Sequence, residues 1–171
     1  YILNSENEYS INVNYNQTST IDIQNEHKKG NLEIKKVDKE NSSITLANVG
    51  FELYNEDSNV LIGTYFTDED GKIEIKDLRI GNYKLKEIST NKWYNLAENQ
   101  DLQINWDETT KTIVEDELKK GQIRIIKIDK EDNKIRIPNV TFEVQDVNGN
   151  ILEKITTDEN GEALTSKYPL R

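Results

Sequence analysis

The chain of 171 residues contains no cysteine and only one histidine, His27. Disulfides, thiolate nucleophiles and metal sites built from cysteine and histidine are therefore excluded. The sequence also has no Ser/His/Asp set, no glycine-rich phosphate loop and no basic aromatic stripe, so we expect no cofactor, no metal and no ordinary enzyme activity. A domain of this kind that works outside the cell needs a brace other than a disulfide.

Long apolar runs and excess positive charge are also missing. No run approaches a membrane-spanning length, and no signal peptide is recognisable. The net charge is −10, and such an acidic surface argues against nucleic acid and anionic membranes as partners. Because Tyr1 is not an initiator methionine, we expect the sequence to be a piece of a longer protein.

An internal repeat dominates what is present. The segment "GNLEIKKVDKE" at 30–40 recurs as "GQIRIIKIDKE" at 121–131, and "IQNEHKKG" at 23–30 parallels "VEDELKKG" at 114–121. The spacing predicts one complete unit flanked by two partial ones. The predicted boundaries are 1–29 for the last strands of a preceding repeat, 30–120 for a complete repeat, and 121–171 for the first part of a following repeat.

Each repeat consists of short stretches of alternating polar and apolar residues that are separated by turn signals, and no long stretch has a helical period. About seven strands in a repeat of this length are typical of a β-sandwich. The sequence therefore predicts an all-β, Ig-like sandwich fold in tandem. The strands expected in the complete repeat are 31–37, 49–54, 60–66, 72–76, 82–88, 101–106 and 111–116.

Three predicted strands place a polar residue where their alternation requires a core residue. These residues are Lys36, Glu87 and Asp116, and each ends a run of inward apolar side chains. The simpler interpretation is that each marks a strand end that reaches solvent. Against it, the lysine recurs in the same phase as Lys127, and the acid position is Asn25 in the other copy.

A covalent bond accounts for the exchange of Asn and Asp, which share a shape but differ in charge. A lysine amine can attack the side-chain carbonyl of Asn and expel ammonia, or that of protonated Asp and expel water. Burial favours the reaction because desolvation lowers the pKa of a lysine and raises that of a carboxyl group. We expect Lys36 to attack Asp116 while Glu87 moves the proton. Lys35 is the alternative lysine, but its parity points outward.

The segments "LEIKKVD", "GNYKLKE" and "IVEDE" together resemble the Cna B-type, or SpaA-type, repeats of Gram-positive surface adhesins and pilins. The resemblance covers the whole complete repeat. It implies a transthyretin-like sandwich in which an inward lysine, an acidic catalyst and an Asn or Asp form an intramolecular isopeptide bond. For this sequence the resemblance implies that Lys36 is the nucleophile, Glu87 the catalyst and Asp116 the acceptor. The acceptor is Asp here, where Asn is more usual.

The leading hypothesis is therefore a structural stalk repeat of a surface adhesin or pilin, located on the cell wall of a Gram-positive bacterium and adjoining neighbouring repeats of its parent chain. The bond forms once, so the protein is not an enzyme in the usual sense. The first alternative is an adhesin module that binds a host matrix protein or glycan, for which Trp93 and Tyr94 are candidate contacts, although a core or rim position is favoured. The second alternative is an accessory domain of a secreted enzyme.

Two further expectations concern single segments. The sequence "DEDG" at 68–71 resembles the start of a calcium loop but lacks its ligand spacing, so an Asp-Gly turn is expected. The partial repeats at the two ends are complementary, and we expect them to pair between molecules. Lys127 and Asn25 should nevertheless stay unlinked, because the missing segment would contain the equivalent of Glu87.

Overall fold

The structure is a computed structural model that describes residues 1–3 and 8–170, and within this part of the chain all regular structure is β-strand. No helix in these ranges could span a membrane. The chain divides into two compact units, Tyr1–Glu117 and Leu118–Arg171. Each unit is described by itself below.

Seven strands form the body of the first unit, and each corresponds to a predicted strand with ends shifted by at most three residues. In three of the strands, residues 29–38, 81–89 and 109–116, the more buried side chains alternate with more exposed ones, so each turns one face to the core. The strands are β1 (Lys29–Asp38), β2 (Gly50–Asn55), β3 (Val60–Phe66), β4 (Lys72–Arg79), β5 (Gly81–Ser89), β6 (Gln100–Ile104) and β7 (Thr109–Asp116).

The seven strands form two sheets with the orders β4-β1-β7 and β3-β2-β5-β6. In the first sheet β1 pairs antiparallel with β4 and parallel with β7, so the first and last strands of the unit are neighbours. Both sheets contribute fully buried side chains to one core, among them Leu32, Ile34, Phe51, Leu53 and Leu85. The predicted all-β sandwich is confirmed.

The segment at 68–71 forms a turn, as expected from its Asp-Gly ending. The Gly71 amide donates to the Asp68 carbonyl at 3.0 Å, and Asp68 Oδ1 accepts from the amides of Asp70 and Lys72. Gly71 has φ +71°, a left-handed conformation that glycine adopts without steric cost. A Cβ at this glycine would lie 2.7 Å from the Lys36 carbonyl oxygen, so the turn also allows close approach to β1.

The segment before β1 departs from the sequence prediction. Its described residues, 1–3 and 8–28, contain no strand, and their only ladder contact is an isolated bridge between Ile2 and Glu26. The strands expected here are therefore wrong for the described residues. A strand is stable only when its backbone groups find hydrogen-bonding partners, and one bridge does not provide a sheet. Residues 4–7 of the predicted leading repeat lie outside the described ranges.

The second unit repeats the first four strands of the first. Its strands β9 and β12 pair as β1 and β4 do, β8 and β13 extend the same pairing, and β10 and β11 correspond to β2 and β3. The bounds are β8 (Lys120–Gly121), β9 (Arg124–Ile126), β10 (Thr141–Gln145), β11 (Ile151–Thr156), β12 (Glu162–Leu164) and β13 (Tyr168–Pro169).

The correspondence extends to individual hydrogen bonds. The Lys36 amide donates to the Gly71 carbonyl at 2.8 Å, and the Lys127 amide donates to the Gly161 carbonyl at 2.8 Å. The repeat read from the sequence is therefore a repeat of backbone structure over these strands. The three assigned domain boundaries remain a prediction.

Candidate functional site

The three inward polar residues of the first unit come from both sheets. Lys36 lies on β1 and Asp116 on β7, which are adjacent parallel strands. In their register Lys36 is opposite Val114, so the lysine reaches Asp116 by extending two residues along the strand direction. Glu87 lies on β5 in the other sheet and approaches the pair across the core.

The structure brings the three side chains into direct contact. Lys36 Nζ donates to Glu87 Oε2 at 2.9 Å and also contacts Asp116 Oδ1. All three side chains have 0% exposure, so these are not strand ends that reach solvent. Lys35, the alternative lysine, is only half-buried and pairs with Lys72 in the sheet register.

The surroundings of the lysine are apolar. Its Nζ lies 5.9 Å from the centroid of the Phe51 ring, and the side chains of Ile34 and Val114 are buried on the same sheet. Charges in such surroundings lose the hydration they have in water, at a cost of several kcal/mol for each ion. A lysine with two carboxyl groups in this core has more to gain from neutralisation than a pair at the surface.

Burial raises the pKa of Glu87 above its ordinary value, and the negative charge of Asp116 acts in the same direction. The hydrogen bond and charge of Lys36 and the amide of Ala97 oppose the rise. Glu87 Oε1 is buried without a hydrogen-bond partner among the described residues. A protonated carboxyl group loses less hydration energy in this position than a carboxylate does, so Glu87 is suited to holding and passing a proton.

The loop between β5 and β6, residues 90–99, supplies two groups that the sequence reasoning missed. Thr90 Oγ1 donates to Asp116 Oδ2 at 2.5 Å, and the Ala97 amide donates to Glu87 Oε2 at 3.1 Å. Neither residue belongs to a strand with a readable alternation. No period in the sequence therefore marked either residue.

Asp38 is a further buried carboxyl group on β1, directly opposite Asp116 in the register. Tyr94 donates its hydroxyl to Asp38 Oδ2 at 2.8 Å, and the amides of Glu40 and Asn41 donate to Oδ1. Tyr94 is buried, so the favoured core position is correct for this residue. Asp38 could have been found from the sequence, because it lies two residues after Lys36 on the same strand, whereas its tyrosine partner could not.

The repeat equivalents are not in comparable surroundings. Lys127 follows β9 in the second unit and is half-buried, whereas Asn25 precedes β1 in the first unit and is exposed. Within residues 1–3 and 8–170 no group of His, Cys, Asp or Glu side chains is arranged to hold a metal ion.

The first unit is thus a β-sandwich whose two sheets enclose a lysine in contact with two carboxyl groups. A family model described as SpaA, the prealbumin-like fold domain, matches residues 30–118 and 121–170. The chain belongs to this family, as the resemblance in the sequence implied.

Several solved structures are similar to this chain. The TIE protein of Bacillus anthracis is similar with 33% identity and a TM-score of 0.63, over 83% of this chain and 27% of that protein. The major pilin subunit BcpA of Bacillus cereus has 18% identity and a TM-score of 0.51, over 58% of this chain and 31% of the pilin; this likeness concerns the fold alone. A minor pilin of Streptococcus agalactiae has 27% identity and a TM-score of 0.48, over 54% of this chain and 45% of the pilin.

The chain thus spans between about a quarter and a half of these three proteins. A comparison with curated proteins finds no match.

Proposed function

We propose that residues 30–120 are a structural repeat in the stalk of a Gram-positive cell-surface adhesin or pilin, and that an amide between Lys36 and Asp116 braces it. The observation that carries this proposal is the contact of the lysine with two fully buried carboxyl groups on opposite sheets. The likeness to the pilin of Bacillus cereus supports the fold. Membership of the SpaA family supports a place on the cell surface.

The chemistry begins with proton transfer from the Lys36 ammonium to the Asp116 carboxylate, which burial favours because two ions become two neutral groups. The Lys36 amine then attacks Asp116 Cγ, and a C–N bond forms. Glu87 accepts the proton that the nitrogen loses and delivers it to the departing hydroxyl. The C–O bond breaks, one water leaves, and a neutral amide remains.

The product explains why the reaction runs once. Lys36 and Asp116 are both consumed, and the amide lies in a core that excludes water. No residue is regenerated for a second cycle, so the bond is a part of the structure rather than a step of enzyme turnover.

The parallel pairing of β1 and β7 suits a stalk under tension. Force that enters at the start of β1 and leaves at the end of β7 pulls the two strands past one another along their length. The proposed amide joins them at Lys36 and Asp116, so the tension passes through a covalent bond. The intervening residues lie outside the path of the force.

The alternative of a ligand-binding module has less support. Of its two candidate contacts, Tyr94 is buried and hydrogen-bonded to Asp38, and Trp93 is 39% accessible. A single aromatic side chain on a loop is common on protein surfaces. We therefore propose neighbouring repeats, rather than a host matrix protein or glycan, as the main partners.

The intact mass of the folded chain tests the proposal. We expect it to be lower than the sequence mass by one water, because Asp116 is the acceptor. Asp116→Asn should lose one ammonia instead and give a product of the same mass as the cross-linked parent, while Asp116→Ala should keep its full sequence mass. A folded parent chain with an unchanged mass would refute the bond.

A second prediction concerns the ends of the chain. The second unit exposes Ile126, Ile151 and Leu164, apolar side chains that a partner can cover, and we propose that the two partial repeats associate between molecules. Lys127 and Asn25 should remain unlinked even then, because Asn25 is exposed and Lys127 is only half-buried, so neither has the dry surroundings that favour the reaction.

The measurements are the solution mass and a denaturing gel at high protein concentration. We expect a dimer or larger species in solution that separates into single chains on the gel, with the same gel pattern for Lys127→Ala. A monomer at every concentration would contradict the association, and a covalent dimer that disappears with Lys127→Ala would contradict the absence of a bond.

A further inference from the structure

We propose that Thr90 is a catalytic residue of the cross-linking reaction, whose hydroxyl stabilises the negative charge that develops on Asp116 Oδ2. This inference rests on the proposed function and adds a fourth group to the lysine and the two acids. The observation behind it is the hydrogen bond from Thr90 Oγ1 to Asp116 Oδ2 at 2.5 Å.

The two oxygens of Asp116 have different partners, and this difference assigns their roles. Oδ1 contacts Lys36 Nζ, which is also bound by Glu87 Oε2. The proton that Glu87 carries therefore has its shortest route to Oδ1, which makes Oδ1 the leaving oxygen. Oδ2 is held by Thr90 and remains as the carbonyl oxygen of the amide.

The attack of the lysine amine turns the carbonyl carbon of Asp116 into a tetrahedral centre, and the electron pair of the C=O bond moves to Oδ2. A donor already aimed at this oxygen stabilises the charge without reorganising at the moment of reaction. When the C–Oδ1 bond breaks, the electron pair returns from Oδ2 and the carbonyl is restored. Thr90 keeps its own proton throughout, so the atoms and electrons of the reaction balance as before.

The loop that carries Thr90 is fixed at several points close to the reacting groups. The Asn95 amide donates to the Glu117 carbonyl at 3.0 Å, the Tyr94 hydroxyl binds Asp38, and the Ala97 amide binds Glu87. These contacts bind the loop to β1, to β5 and to the residue that follows β7. Thr90 is thus held in position before the reaction starts, as an oxyanion donor must be.

The test compares the rate of cross-linking in Thr90→Val, Thr90→Ser and the parent chain. The full chain is made by cell-free translation with a short labelling pulse, and samples are denatured at intervals and separated on a gel, where the internal loop changes the mobility. We expect Thr90→Val to be slower by about 100-fold, the lower end of the effect of removing one oxyanion donor. Thr90→Ser, which keeps the hydroxyl, should react at nearly the parental rate.

Thr112→Val is the matched control. Thr112 is half-buried on β7 and donates to Gln100 Oε1 at 2.7 Å, so the substitution removes a similar hydrogen bond without touching Asp116. It should leave the rate unchanged. An equal slowing by both valine variants would show that lost stability, not lost oxyanion stabilisation, is responsible, and would overturn the role of Thr90.

The Asp116→Asn background separates the two oxygens' roles. If Thr90 serves the retained oxygen, Thr90→Val should slow the loss of ammonia by about the same factor as the loss of water, because only the leaving group has changed. The same comparison also serves if Thr90→Val does not fold in the chain that carries Asp116. In the Asp116→Asn chain the side chain is a neutral amide, so removing the Thr90 hydroxyl leaves no buried carboxylate without a hydrogen-bond donor. Slowing confined to one background, or no slowing in either, would overturn the assignment.

The outcomes for the two proposals differ. A parent chain that folds but never changes its gel mobility or mass refutes the cross-link and with it the role of Thr90. If the parent chain and the Thr90→Val chain both react at the same rate, the cross-link is supported and only the catalytic role of Thr90 is refuted.

Discussion

Lys36→Ala is expected to lower the melting temperature of the first unit by about 15–30 °C. A cross-link that closes a loop of 80 residues stabilises the fold by about 4 kcal/mol if it acts as a disulfide of that length does, and each kcal/mol corresponds to roughly 4–8 °C in a domain of this size. The substitution also leaves Glu87 and Asp116 buried without their cation, which adds to the loss. Differential scanning calorimetry measures the change.

Two controls separate the parts of this effect. Lys35→Ala removes a neighbouring lysine that faces away from the core and should change the melting temperature by only a degree or two. Glu87→Gln keeps Lys36 and Asp116 in contact but prevents the bond. The fall in melting temperature that Glu87→Gln and Lys36→Ala have in common therefore measures the contribution of the cross-link. If Lys36→Ala melts within a degree or two of the parent, the bond has no role as a brace.

Glu87→Gln should abolish the cross-link or slow it greatly while leaving the fold intact. Glutamine has nearly the same shape and can still accept from Lys36 Nζ, but it cannot take up the proton and return it to the leaving oxygen. We therefore expect the purified variant to have its full sequence mass and native β-structure by circular dichroism. Glu87→Ala should behave in the same way but melt lower, because it leaves a cavity in the core.

Glu52→Gln is the control for this substitution. Glu52 lies on β2, pairs with Lys86 of β5 in the register and is only half-buried, so it shares the sheet of Glu87 but not the site. This variant should be fully cross-linked. Complete loss of water by Glu87→Gln at the rate of the parent would show that another group moves the proton.

The parts of the fold that could be predicted from the sequence are those with a regular period. Alternation along β1, β5 and β7 placed Lys36, Glu87 and Asp116 on inward faces, because a strand turns successive side chains to opposite sides. The repeat then indicated which of these positions recur. The turn at 68–71 was also predictable, since its Asp-Gly ending favours a specific backbone conformation.

The parts that could not be predicted depend on contacts between distant residues in irregular segments. Thr90 and Tyr94 lie on a loop whose path is fixed by hydrogen bonds to three other segments, and no period in the sequence records such a path. The prediction of strands before β1 was wrong for a related reason. Its alternating residues were compatible with strands, but a strand also needs partners, which a local pattern does not reveal.

The parallel pairing of β1 with β7 also sets the order of events during synthesis. Lys36 leaves the ribosome 80 residues before Asp116, a delay of roughly 4–16 s at ordinary translation rates. Throughout this interval the lysine is hydrated and charged, and it has neither its acceptor nor a dry pocket around it. The reacting groups meet only after β7 has docked beside β1, the pairing with the longest sequence separation in the sheet and so among the slowest to form. The proposed amide would therefore form only in a chain that has completed its folding, and a chain that misfolds before this point would lack the bond.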